Sequence, residues 1–336
     1  RVELNAAKVI VEDGDLVVDA GSQILQLWRA VFASSGAGDI SLTARTGNIR
    51  AGVGGTSTGH IRATGDGDIF LRSNNLLLPE NSSIEGGASL FILPYDADTS
   101  IGLGDGAAGG LKLSAADLSR LDGFSLVTVG EASGSGAIEL GAAELAAALR
   151  VRTGGGVTVM DEFSADAIEL IAGGRVAVDS GSLSSHGGDV VITADGAFTM
   201  ADGARISTGG GDFSADYGGA AQTDSVSGRI ETSGGDLSLA VADSMSEDTR
   251  LYLRGATLLS EGGNILVDVG VPGGSAGELR VHALGGRNTV IDSGQGDLTL
   301  RMNNTESWLL IEDGAELRAH GGGSITLASE ALLSVR

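Results

Sequence analysis

The chain has 336 residues, 56 of them glycine and only 3 proline, with 42% hydrophobic and 4% aromatic residues. That composition excludes collagen, proline-rich linkers and disorder, and leaves a core built from Val, Ile, Leu and Ala. With 21 Lys and Arg against 44 Asp and Glu, the formal net charge is −23. Such a chain repels phosphate backbones and anionic lipid, so neither nucleic-acid binding nor membrane insertion is expected.

Cysteine is absent, which excludes disulfides, thiolate zinc sites and thiol nucleophiles. No charged-then-apolar leader opens the chain, and no run of about 18 apolar residues occurs. The chain starts at Arg1 and stops at Arg336 inside what reads as a strand, so it reads as part of something longer.

Repetition is the dominant signal. In chain order, Gly14-Asp15-Leu16-Val17-Val18 is followed by Gly38-Asp39-Ile40-Ser41-Leu42 and Gly67-Asp68-Ile69-Phe70-Leu71, at steps of 24 and 29 residues. The same Gly-Asp or Gly-Asn step with alternating apolar residues returns later. From Asp189 it runs through Asp212, Asp236, Asn264 and Asp297 to Ser324, at steps of 23, 24, 28, 33 and 27. A second motif keeps phase with the first: Gly203-Ala204, Gly255-Ala256 and Gly314-Ala315 each precede a short apolar strand just before the next step.

Apolar residues at i, i+2 and i+4, such as Ile40, Leu42 and Ala44 or Leu237, Leu239 and Val241, predict half-buried strands. Identical strands recurring at one phase stack most naturally in parallel. The expected fold is all-β: one right-handed parallel β-helix over 1–336, of roughly 12 to 13 coils and about 60 Å. Corner glycines are expected to supply positive φ, and the Asp or Asn after them to bind local turn amides.

Residues 95–150 break the rhythm as an irregular excursion. Within it a short helical excursion is predicted near residues 113–123: Ser114 as N-cap, Asp117 completing a capping box, and Gly123 as the stop. A strand over Phe124–Val129 follows. Residues 141–150 satisfy helix by propensity and strand by context, and the regular coils are expected to resume at Val151.

Several patterns bear on chemistry. Asp161-Glu162 is the nearest approach to a carboxylate pair, and it reads as a solvated turn. His60, His186, His282 and His320 are scattered and lack metal-ligand spacing. Gly285-Gly286-Arg287-Asn288 and Gly294-Gln295-Gly296-Asp297 faintly repeat a calcium-binding nonapeptide, with Arg287 putting a positive charge into the loop. Gly52-Val53-Gly54-Gly55 lacks the lysine and following helix of a phosphate cradle. Trp28 and Trp308 are read either as sugar-stacking rings or as packing against a coil corner. No catalytic, cofactor-binding or metal residue is assigned; no cofactor is expected, calcium being the one considered.

The stretches Ile101-Gly102-Leu103-Gly104-Asp105-Gly106, Leu113-Ser114-Ala115-Ala116-Asp117-Leu118 and Asp122-Gly123-Phe124, with the coil Gly234-Gly235-Asp236-Leu237-Ser238-Leu239, resemble the filamentous-haemagglutinin-like adhesins and related giant bacterial exoproteins. The resemblance implies a right-handed parallel β-helix, secretion to the bacterial cell surface and a role in adhesion. The implied partners are a host or neighbouring-cell surface receptor or glycan, and the rest of the chain's own parent. No amino-terminal secretion-recognition domain is evident. The expected function is therefore a structural shaft or binding segment without catalysis. A β-helical polysaccharide-degrading enzyme and a calcium-dependent surface-array protein are the alternatives.

Overall fold

Strand formation follows from the period-two pattern, and burial confirms it residue by residue. In Ile40–Ala44, Val190–Ala194 and Leu237–Ala242, the first, third and fifth side chains are buried while those between are outward. The computed structural model describes residues 1–27, 29–52, 58–218, 224–242, 249–272, 276–304 and 306–336. They form two compact units, Arg1–Gly155 and Gly156–Arg336. Each is a parallel β-helix with three strands in a regular coil.

In the first unit, one face stacks Val2–Asn5, Ile24–Leu27, Asn48–Ala51 and Asn75–Leu77. A second stacks Lys8–Val11, Ala30–Ser35, Gly59–Thr64, Ser83–Glu85 and Leu121–Asp122. The third runs from Leu16–Ala20 through Ile40–Ala44, Ile69–Arg72, Ser89–Leu93 and Leu126–Val129 to Ala148–Thr153. In the second unit the three faces start at Val157–Val159, Phe163–Ala165 and Ile168–Ala172, and each following coil adds one strand to each. The sequence steps equal the pairing register: Val190 lies against Phe213, Phe213 against Leu237, Leu237 against Ile265, Ile265 against Leu298 and Leu298 against Ile325.

The Gly-Asp step carries two ladders, and each differs from the sequence expectation in its physics. The glycine of the pair does not sit at positive φ in any of these coils. It is required because coils pass too closely for a side chain. A Cβ on Gly235 would stand 2.2 Å from the carbonyl oxygen of Gly211, and one on Gly263 would stand 2.2 Å from that of Gly235. Positive φ belongs to the residue before, as at Gly234 (φ 114°) and Gly262 (φ 144°).

The aspartate reaches one coil onward rather than to its own turn. The N–H of Asp212 donates to Asp189 Oδ1 at 2.9 Å, that of Asp236 to Asp212 Oδ1 at 2.8 Å, and that of Asn264 to Asp236 Oδ1 at 2.7 Å. Asn264 and Asp297 continue the ladder to Ser324. The first unit repeats it through Asp15, Asp39 and Asp68 to Ser89. Each ladder step needs one acceptor oxygen for the next N–H, which the Asn264 amide supplies to Asp297 as a carboxylate does elsewhere, while the Asn264 Nδ2 also donates to Asp236 Oδ1 at 3.2 Å. Asp236→Asn is therefore expected to leave the urea midpoint within about 0.5 kcal/mol of wild type, and Asp236→Ala to cost about 1 kcal/mol. Equal loss in both variants would show that charge, not the acceptor, matters.

A third ladder is internal. Thr208, Thr232, Ser260 and Ser293 are fully buried. Each hydroxyl donates to the glycine carbonyl three residues on: Thr232 to Gly235 at 2.5 Å and Ser293 to Gly296 at 2.7 Å, with Thr208 to Gly211 and Ser260 to Gly263 alike. The hydroxyl thereby satisfies a carbonyl that the bend removes from the sheet ladder.

The excursion contains the predicted capping box. Ser114 caps Ala115–Leu118, with the N–H of Asp117 donating to Ser114 Oγ at 3.2 Å and the N–H of Ser114 donating to Asp117 Oδ2 at 2.9 Å. The helix is a single turn and ends at Ser119, before Gly123, because Leu121–Asp122 must join the strand Ser83–Glu85. Regular coils are back earlier than Val151: Leu126–Val129 pairs with both Ser89–Leu93 and Ala148–Thr153. Residues 143–145 and 148–153 are strands, so coil context overrides the alanine-rich helix propensity there.

Candidate functional site

The residues singled out by sequence do not converge. Asp161 and Glu162 are exposed, and the Asp161 carboxylate accepts the N–H of Glu162 at 2.8 Å, an ordinary turn. His60 Nδ1 lies 2.7 Å from Ser83 Oγ. His186 and His320 each lie 3.5 Å from an aspartate, Asp166 and Asp292 respectively. His282 Nδ1 is 2.9 Å from the carbonyl of Ala283, and its ring meets Tyr252 edge-on. Each histidine thus has its own local partner. In the glycine-rich loop, Arg287 pairs with Asp202 at 2.7 Å, and Asn288 donates to Glu316 at 2.7 Å. Among the described residues no group of three or more His, Asp or Glu is arranged to hold a metal ion. Trp28 and residues 53–55 of the Gly52–Gly55 stretch lie outside the described residues.

Trp308 is the exception. The residue is 54% exposed, the condition on which the sugar-stacking reading depends. Ser307–Ile311 alternates buried and outward, with Ser307, Leu309 and Ile311 inward, so Trp308 and Leu310 face out. The neighbouring strands Thr249–Arg254 and Gly277–His282 hold the same phase. Register then builds a lattice of outward side chains. One column is Arg250, Glu278, Trp308 and Leu332; the next is Tyr252, Arg280, Leu310 and Ser334. Sequence reasoning missed this assembly, although the alternation that signals it is present in all three strands.

The lattice is held by its own contacts. The Tyr252 hydroxyl donates to Glu278 Oε2 at 3.1 Å. Arg280 donates twice to Glu312, at 2.9 and 2.8 Å, and approaches Glu278 at 3.9 Å. The hydrogen bond from Arg280 holds the Glu312 carboxyl below the usual carboxylate range despite partial burial, and the same bond pushes the Arg280 guanidinium up. Burial, then the Glu278 charge, pushes the Tyr252 phenol up. The Glu312 carboxylate is therefore ionised at neutral pH and held in place by Arg280. Beside them a shallow groove of about 100 Å³ is lined by Arg250, Ala276, Gly277, Glu278, Glu306 and Trp308. It offers an aromatic face, hydrogen-bond acceptors and a cation.

No protein-family model, curated protein or solved structure matches this chain.

Proposed function

We propose that the chain is a structural shaft or binding segment of a secreted bacterial surface adhesin and performs no catalysis. The observation that supports this reading is the coil-by-coil repetition of three ladders: glycine on glycine, aspartate to the next amide, and buried hydroxyl to carbonyl. In the coils from Asp15 to Ser89 and from Asp189 to Ser324, neighbours are bonded through main chain and side chain alike, which stiffens those stacks along their length. The resemblance of the Gly-Gly-Asp-Leu-Ser-Leu coil at Gly234–Leu239 to shaft repeats of large exoproteins agrees with that mechanics. The aspartates of the Gly-Asp steps are engaged in the coil ladder and the four histidines by local partners, which supports a mechanical role over hydrolysis.

Antibody raised against the chain is expected to label intact, unpermeabilised source cells, and purified chain on beads to make them adhere to target cells. The same chain is expected to release no reducing ends from pectate, alginate or hyaluronan, and to melt at the same temperature with and without chelator. Labelling only after lysis, or progressive cleavage of any of these glycans, overturns the reading. A fall in melting temperature of about 10 °C with chelator would instead favour a calcium-dependent array.

A further inference from the structure

We propose that Trp308, with Glu278, Glu306 and Arg250, forms a subsite for a neutral hexopyranose on the outward face of the second unit. The inference adds a ligand site and does not depend on how the chain reaches a surface.

The argument starts from the indole. An indole half exposed on a β-face leaves a large flat apolar surface in water, with the acidic Glu278 beside it in register on one side and the half-exposed Leu332 on the other. A pyranose presents a complementary pair of features: one face of C–H groups that packs on an aromatic ring, and a rim of hydroxyls that need acceptors and donors. Both acceptors are in place. Glu278 is the register neighbour of Trp308, Glu306 lies two residues before it, and all three line the groove. Arg250, one coil further along the same column, lines the groove with a donor group.

The site is also preorganised. Tyr252 fixes the Glu278 carboxylate through its hydroxyl, and the strands carrying Trp308, Glu278 and Arg250 are locked in parallel register on either side. Binding therefore orders little that is not already ordered.

Size and charge select the ligand. A groove of about 100 Å³ holds part of one sugar ring. Six residues line it, far fewer than the roughly 20 to 30 a side that a stable protein interface uses. The two carboxylates, on a chain of net charge −23, repel uronic and sialic acids, so the ring is neutral.

The test uses the whole chain, titrated by calorimetry and saturation-transfer NMR with methyl β-galactopyranoside, methyl β-glucopyranoside and methyl β-glucuronoside. At least one neutral glycoside is expected to bind saturably at about 1 mM, the affinity that ordinary ligand efficiency gives a monosaccharide. Trp308→Ala is expected to weaken it at least about tenfold and Glu278→Gln about threefold, with the glucuronoside weaker than its neutral parent. Because the ring is exposed, Trp308→Ala should melt as wild type does, so loss of binding is not loss of fold. No saturable binding of either neutral glycoside up to about 50 mM overturns the proposal. Unchanged affinity in Trp308→Ala, or tighter binding of the glucuronoside, does the same. Sedimentation velocity run alongside would reveal Trp308-dependent self-association; without glycoside binding, that result assigns the face to a second copy and also overturns the proposal. None of these outcomes alters surface labelling of cells, so this site and the adhesin reading fail separately.

Discussion

Gly263→Ala is expected to destabilise the second unit by about 3 kcal/mol, read as a fall in the urea midpoint followed by far-UV circular dichroism. The added Cβ would lie 2.2 Å from the Gly235 carbonyl oxygen and 2.4 Å from its carbon. Both obstructing atoms are main chain, so no rotamer change relieves the clash. The coils must move apart, and doing so stretches the bond from the Asn264 N–H to Asp236 and the one from the Thr232 hydroxyl to the Ser260 carbonyl. Gly21 provides the control. It has an ordinary φ and no atom within 4 Å of a Cβ, so Gly21→Ala should stay within about 0.5 kcal/mol of wild type or gain slightly from the unfolded chain. Equal effects at the two positions would mean that the coil contact is not what demands glycine.

Phe213→Ala is expected to cost about 3 to 5 kcal/mol by the same measurement. Aromatic residues are scarce in this chain, and the second unit groups three of them in its interior. Phe213 is 1% exposed and its ring lies 6.3 Å from Phe198, which meets Tyr217 edge-on at 5.7 Å. A parallel coil cannot collapse onto the vacated volume, because every strand is tied to the coils above and below. Phe213→Leu, nearer in volume, should cost less than about 1.5 kcal/mol. The stacked pair Phe70 and Phe91, 4.6 Å apart on an outward face of the first unit, gives the contrast. There Phe70→Ala should cost about 1 kcal/mol, the value of an aromatic pair without cavity formation. A Phe213→Ala loss no larger than that of Phe70→Ala would place the Phe213 ring outside the core.

Both predictions separate what a linear pattern reveals from what contact imposes. The inward triads such as Leu237, Leu239 and Val241 were legible because a strand alternates faces with period two. The spacing of Asp189, Asp212 and Asp236 was legible as register because equal coils must stack residue on residue. The capping box at Ser114 and Asp117 was legible because it is satisfied within four residues. The hydroxyl ladder was written in the sequence as Ser or Thr, two further residues, then Gly-Asp or Gly-Asn. It reads as a polar turn until the burial of Thr208 and Thr232 is known. Residues 141–150 were ambiguous because alanine favours a helix, whereas pairing with the neighbouring coil yields more hydrogen bonds than an isolated turn.

Sequence by itself determined that the chain is β-rich, built of repeated short strands with an aliphatic interior, and interrupted near Ser114. These follow from local periodicity and composition. Only the tertiary structure decided why glycine precedes aspartate, which amide each aspartate serves, and that Trp308 shares a face with Glu278 and Arg250. Those facts depend on which atoms of one coil meet the next, 23 to 33 residues away along the chain, and no local pattern encodes that meeting.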